Sequence, residues 1–186
     1  MESRNGEFLI STDSALLDLD VIHGFLTNCY WAKGIPREVV ARSTEHSLCF
    51  GIYHVREQEV PGLATAARPF DFAQGRPGAP SVVVPQFASP QVPLTQVGFA
   101  RVISDFAAIA YVGDVFVLEA YRGRGLSQWM MECIVRHPQL QGLRRWILLT
   151  RDAHGLYAKF GFTPVKSPGS YMELHRADIY QVRETT

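Results

Sequence analysis

Residues 111–130 read YVGDVFVLEAYRGRGLSQWM, and how the two halves of this stretch are joined decides the fold. Tyr111 to Leu118 is apolar on both parities except at Gly113 and Asp114, the pattern of a central strand covered on both faces. Leu126, Met130, Cys133 and Ile134 then recur at helical spacing, and Pro138 closes that helix. Between strand and helix lies RGRGLS, Arg122 to Ser127, in which two arginines alternate with two glycines. A helix start offers unpaired N–H groups and the positive end of the helix dipole. Gly123 and Gly125 let the backbone approach an anion without a Cβ in the way, and Arg122 or Arg124 adds charge. The same residues would also serve as a tight turn with exposed arginines; their place between a central strand and a helix favours the anion site. The dinucleotide fingerprint is excluded because Gln128 stands where its third glycine belongs, and the P-loop because no Gly-Lys-Ser/Thr follows.

The rest of the chain extends outward from this corner. RRWILLT (144–150) reads as a strand, so strand, helix and strand form a right-handed crossover with the two strands parallel. Upstream, QVGFARVIS (96–104) and AAIAYVGDVFVL (107–118) form an antiparallel hairpin. Earlier still, SLCFGIYHV (47–55) and GEFLIST (6–12) are strand candidates. Ser11, Thr12, Asp13 and Ser14 offer helix caps, and Leu19, Ile22, Leu26 and Cys29 place one helical face, ending near Tyr30 and Trp31. Pro36 suits the first position of a second helix, through about Ser43. Downstream, DAHGLYAKF (152–160) is a short helix, and TPV (163–165) pairs with SYMEL (170–174) across KSPG. Antiparallel neighbours mixed with one parallel crossover make an α+β fold with a mixed sheet.

Residues 57–95 differ in character. Seven of the chain's eleven prolines fall there, without sustained periodicity, so the stretch cannot bury enough apolar surface to offset its ordering entropy. It reads as a flexible insert within a single domain spanning 1–186, which is the expectation for 186 residues of which 47% are hydrophobic. The 18 basic and 18 acidic side chains balance, which argues against a broad nucleic-acid or anionic-lipid surface. Cys29, Cys49 and Cys133 are odd in number and lack metal-ligand spacing, so no metal site is expected. With no signal-like N-terminus and no apolar run of membrane-spanning length, a cytoplasmic protein is expected.

VFVLEAYRGRGLS, followed one helix and one strand later by LTRDAHGLYAKFGF, resembles the GNAT superfamily of acyl-CoA-dependent N-acetyltransferases. The first motif is carried by Val117, Tyr121, Arg122, Gly123 and Gly125. The second is carried by Ala153, Leu156, Tyr157, Lys159, Gly161 and Phe162. Three positions depart from the family pattern: Glu119 replaces Pro, Ser127 replaces the last Gly/Ala, and Thr150 stands where many members carry Asn.

The resemblance implies a three-layer α/β/α arrangement whose central strands splay, with acetyl-CoA as cosubstrate. Arg122, Gly123, Arg124, Gly125, Leu126 and Ser127 would wrap its pyrophosphate, and Thr150 would add one contact. Phe116, Val117 and Leu118 would lie along the pantetheine arm, with the Val117 N–H near the thioester carbonyl. Tyr157 would be the general acid for the departing CoA thiolate. Asp114, a carboxylate in an apolar strand, is either the base that frees the attacking amine or a structural acid bonded to backbone or to an arginine. Tyr30 and Trp31 would wall the acceptor pocket or else anchor the core. The acceptor implied is a small-molecule or peptidyl primary amine, and a homodimer is compatible with this reading. The alternative function is a non-catalytic acyl-CoA-binding regulatory module.

Overall fold

The computed structural model describes residues 1–56 and 93–180. They build a six-stranded sheet in sequence order: β1 (Glu2–Asn5), β2 (Phe8–Ser11), β3 (Leu48–Val55), β4 (Leu94–Ser104), β5 (Ile109–Val117) and β6 (Arg145–Ile147). The first five pair antiparallel; β6 joins β5 in parallel. Four α-helices flank it: α1 (Leu19–Leu26), α2 (Arg37–Glu45), α3 (Leu126–Val135) and α4 (His154–Ala158).

Two clusters of buried side chains give the sheet its two covered faces. Ile22 and Leu26 of α1 and Val40 of α2 pack with Cys49, Phe99 and Phe116. On the other side Leu126, Met130, Met131 and Ile134 of α3 and Tyr157 of α4 pack with Phe50, Ile52, Val102 and Val112. The sheet therefore lies between helices, in three layers, because β3 to β5 are apolar on both parities and must be covered twice. Among the described residues no helix is long and apolar enough to cross a membrane.

The crossover and the central hairpin lie where the sequence places them, and several boundaries differ. GEFLIST is not one strand: Asn5 pairs with Phe8, and Gly6 at φ +56° begins a two-residue turn that adds β1 ahead of β2. Glycine at the first position of a two-residue turn is a hairpin signal in its own right. The first helix stops at Leu26, and Tyr30 and Trp31 lie in the loop after it. Pro36, in extended conformation, caps α2 from outside rather than opening it. Leu94 and Thr95 belong to β4, so the end of the proposed insert is sheet; the remainder of that stretch, 57–92, lies outside the described residues.

The closing pair TPV and SYMEL does not form a ladder among the described residues. A short run becomes a strand only where a partner edge exists, and β6 ends at Ile147. Pro164 also removes one of TPV's three donors. Met172 stands 99% exposed.

Candidate active site

The site begins where β5 and β6 part. Their pairing covers only Ile109–Arg145, Ala110–Trp146 and Tyr111–Ile147, while β5 runs on to Val117. Beyond Tyr111 the outer edge of β5 therefore faces a gap. On the inner edge Val117 stands opposite Gly98, and the Leu118 N–H donates to the Val97 carbonyl at 2.8 Å. By the alternation of an antiparallel ladder, Phe116 and Leu118 turn their backbone groups toward β4 and Val117 turns its own into the gap. Only Val117, of the three residues expected along a bound arm, has backbone groups directed there. The Phe116 ring lies on the opposite face, stacked on Phe25 at 3.9 Å and 9°.

The corner after β5 is shaped by its glycines. Gly123 and Gly125 both take φ +76°, a left-handed conformation costing an ordinary residue about 1 kcal/mol. A methyl group at either position would meet no atom within 4 Å, so conformation, not crowding, calls for glycine. Gly125 is the N-cap of α3 and no side chain caps that end. The first intrahelical bond runs from the Trp129 N–H to the Gly125 carbonyl at 3.0 Å. The N–H groups of Leu126, Ser127 and Gln128 precede it, at the positive end of the helix dipole.

These groups open onto a cavity of about 320 Å³, bounded by Val117, Tyr121 and Arg122, by Gly123, Gly125 and Ser127, and by Leu156 and Lys159 of the α4 region. Lys159 reaches it with Nζ held 3.0 Å from the Gln128 amide oxygen. Open space, free N–H donors and two cations fit the pyrophosphate of a nucleotide-like ligand. A larger hollow of about 620 Å³ borders Asp18, Arg37 and Gln96, but there the Asp18 carboxylate caps α1 and Arg37 pairs with Asp20 at 2.8 Å.

The remaining expected residues divide. Arg122 lines the cavity and donates through Nε to the Val117 carbonyl at 3.1 Å. Arg124 does not: its guanidinium is 3.0 Å from Glu7 and stacks over the Tyr121 and Phe8 rings. Thr150 is likewise elsewhere, its hydroxyl accepting the Ala153 N–H at 3.0 Å at the entry to α4. Gln128, Gly155, Leu156 and Lys159 line the cavity without having been expected to. Leu156 and Lys159 stand in the second motif, but its spacing alone does not show that α4 meets the start of α3.

Tyr157 is buried against Phe162, ring centroids 6.0 Å apart. Burial first, then the nearby Tyr30 and Asp152, pushes its phenol up to about 12, so it stays protonated at neutral pH. Asp114 has both oxygens engaged: Arg101 Nε donates to Oδ2 and Trp31 Nε1 donates to Oδ1 at 3.2 Å. That is the arrangement of a structural acid bonded to an arginine. Tyr30 and Trp31 are 49% and 43% exposed, so neither is a core anchor. Their rings meet edge to face at 4.9 Å, and the Arg151 guanidinium covers Tyr30 at 3.8 Å.

Fold and corner together define an α+β protein with an uncapped, glycine-turned helix start beside a cavity where a central strand turns into a helix. Residues 94–164 match the model of the acetyltransferase (GNAT) domain. A Xanthomonas campestris pv. campestris crystal structure, described as belonging to the GNAT family, is 43% identical, with coverage of 94% of this chain and 96% of that one and a TM-score of 0.69. A Gibberella zeae protein named as an acetyltransferase is 31% identical over 159 residues, 83% of this chain and 77% of its own length. A Clostridium acetobutylicum acetyltransferase, its structure described with acetyl-CoA, shares the fold at 12% identity and a TM-score of 0.52, over 94% of this chain and 96% of that one. The chain belongs to the GNAT family of acetyltransferases.

Proposed function

We propose that this protein transfers an acetyl group from acetyl-CoA to a primary amine. The observation that carries this reading is the uncapped, glycine-turned start of α3 beside the gap between β5 and β6. Acetyl-CoA supplies the thioester, an acyl group already activated toward an amine. Arg122, Lys159 and the N–H groups from Gly123 to Gln128 bind its pyrophosphate. Val117 presents its N–H in the gap, where it stabilises charge developing on a carbonyl oxygen. Tyr157 holds a proton for the leaving sulfur. An amine of ordinary basicity, with a pKa of about 10.4, must lose a proton before it attacks. With Asp114 engaged at both oxygens, that proton passes to water at the mouth.

The acceptor side is formed by Tyr30, Trp31 and Asp114, and the reaction belongs in the cytoplasm. Incubation with acetyl-CoA and a panel of amines, following free thiol, tests the proposal beside calorimetry with CoA. Amine-dependent thiol release is expected. Tight CoA binding with no release for any amine would leave a non-catalytic acyl-CoA-binding module instead.

A further inference from the structure

We propose that Asp114 is a positioning residue that fixes the aromatic wall of the acceptor mouth through Trp31, and so sets which amines the enzyme accepts. This rests on the transferase reading given above. Between the pairs Phe99–Phe116 and Arg101–Gly113, β4 advances two residues and β5 advances three. The extra residue makes a bulge, and within it Asp114 takes φ +54°, a left-handed conformation that aspartate tolerates better than most residues. A bulge of this kind re-aims one side chain, and here the side chain is held at both ends. Arg101 engages Oδ2 while reaching toward Ser47 Oγ at 3.4 Å, and Oδ1 accepts the Trp31 indole N–H.

Trp31 lies in the loop between α1 and α2, which is pinned behind it by Gly34 N–H to the Thr27 carbonyl at 2.9 Å. His23 Nε2 sits 3.1 Å from the Ile35 carbonyl. The indole itself is tied to the sheet by Asp114. Its ring meets Tyr30 edge to face at 4.9 Å and lies 6.2 Å from Phe25, and Phe25 rests on Phe116 of β5. The bulge therefore sets where the wall stands relative to Val117, three residues further along the same strand.

The composition of the wall also restricts the acceptor. The cation position over Tyr30 is already taken by Arg151, which repels a second ammonium group. Trp31, with its indole N–H committed, offers a flat apolar face. Monoamines with a flat apolar body are favoured over linear diamines.

Asp114→Ala, Asp114→Asn and Trp31→Phe, each compared with wild type, test this on phenethylamine and on 1,4-diaminobutane. Asp114→Ala and Trp31→Phe are expected to raise the phenethylamine KM by ~10-fold, the worth of one such hydrogen bond, with kcat and its pH profile little changed. Asparagine tolerates the left-handed conformation and its amide oxygen still accepts the indole, so Asp114→Asn should recover most of the loss. If Asp114→Asn is as impaired in kcat as Asp114→Ala and loses a limb of the pH profile, Asp114 is the base and the proposal is overturned. It is equally overturned if both Asp114→Ala and Trp31→Phe leave every KM unchanged, or if the diamine is the better substrate.

Indole emission supplies a readout independent of turnover. The difference between wild type and Trp31→Phe isolates Trp31, and Asp114→Ala should shift that component while CoA binding persists. No shift overturns the positioning role even if no amine is acetylated, an outcome that by itself counts only against the transferase reading.

Discussion

Arg122 Nε lies 3.1 Å from the Val117 carbonyl oxygen, so one side chain ties the corner loop to the last residue of β5 while lining the cavity. Arg124, two residues on, is spent on Glu7 at the surface. Removing a charge-assisted bond costs about 1.5–3 kcal/mol, whereas an exposed ion pair contributes about 0–1 kcal/mol. Arg122→Ala should therefore weaken CoA binding at least tenfold, and Arg124→Ala by less than about threefold. Calorimetry with CoA on the two variants checks the order; equal losses would remove the distinction.

Gly125→Ala forces a Cβ onto a backbone at φ +76°. The variant should lose about 1–2 kcal/mol of stability in urea unfolding, and Gly125→Asn less, since asparagine reaches this conformation more readily. An added Cβ here meets no atom within 4 Å, so crowding is not the cause. A loss of CoA affinity without a loss of stability would mean that the added Cβ meets the ligand rather than straining the chain.

Tyr157→Phe should lower kcat by roughly 10²-fold while leaving CoA affinity near wild type, as expected for loss of a general acid. Its stability signature lies at alkaline pH. Burial raises the folded-state value to about 12, and buried Cys49 likewise to about 12. Between the ordinary value of each group, 10.0 and 9.0, and that level the unfolded chain ionises first and binds fewer protons. Stability then falls as pH rises. Tyr157→Phe should flatten this fall between pH 10 and 12, which thermal unfolding across pH would show.

At the acid end the sign reverses. Backbone N–H groups of Ala108, Ile109 and Ala107 hold the Asp105 carboxyl down to about 2 from 3.8. This caps the turn between β4 and β5. Its contribution is present above pH 3.8 and is lost as pH falls toward 2. Asp105→Asn should be less stable than wild type at neutral pH, and the difference should shrink through that window.

Thr150 can be tested by two substitutions. Its hydroxyl accepts the Ala153 N–H at 3.0 Å, so Thr150→Val should cost about 1 kcal/mol, as loss of one hydrogen bond does, and Thr150→Asn, whose amide oxygen can accept the same N–H, should restore it. Urea unfolding of both variants decides this, and a valine variant as stable as wild type would contradict it.

The central crossover was legible in the sequence because its cues are local: an unbroken apolar strand, glycines at the turn and helical spacing after it. The corner's charges were only half legible. RGRGLS looks symmetrical in its arginines, and only the antiparallel register, which brings Glu7 near Arg124, assigns one to the cavity and the other to the surface. Asp114 could be singled out as an oddity but not resolved, since Arg101 and Trp31 lie 13 and 83 residues away in sequence. TPV and SYMEL show the converse limit, for a short run bounded by turn residues says nothing about whether a partner edge awaits it.

The early parting of β5 and β6 leaves half of a central strand with the exposed donors and acceptors of a sheet edge inside the fold. Such an edge templates any extended chain that reaches it. A cosubstrate lying there would act as a missing strand, so its departure after each turnover would briefly restore an adhesive surface. Self-association of the enzyme should therefore follow the ratio of free to ligand-filled protein, and storage with CoA should suppress it.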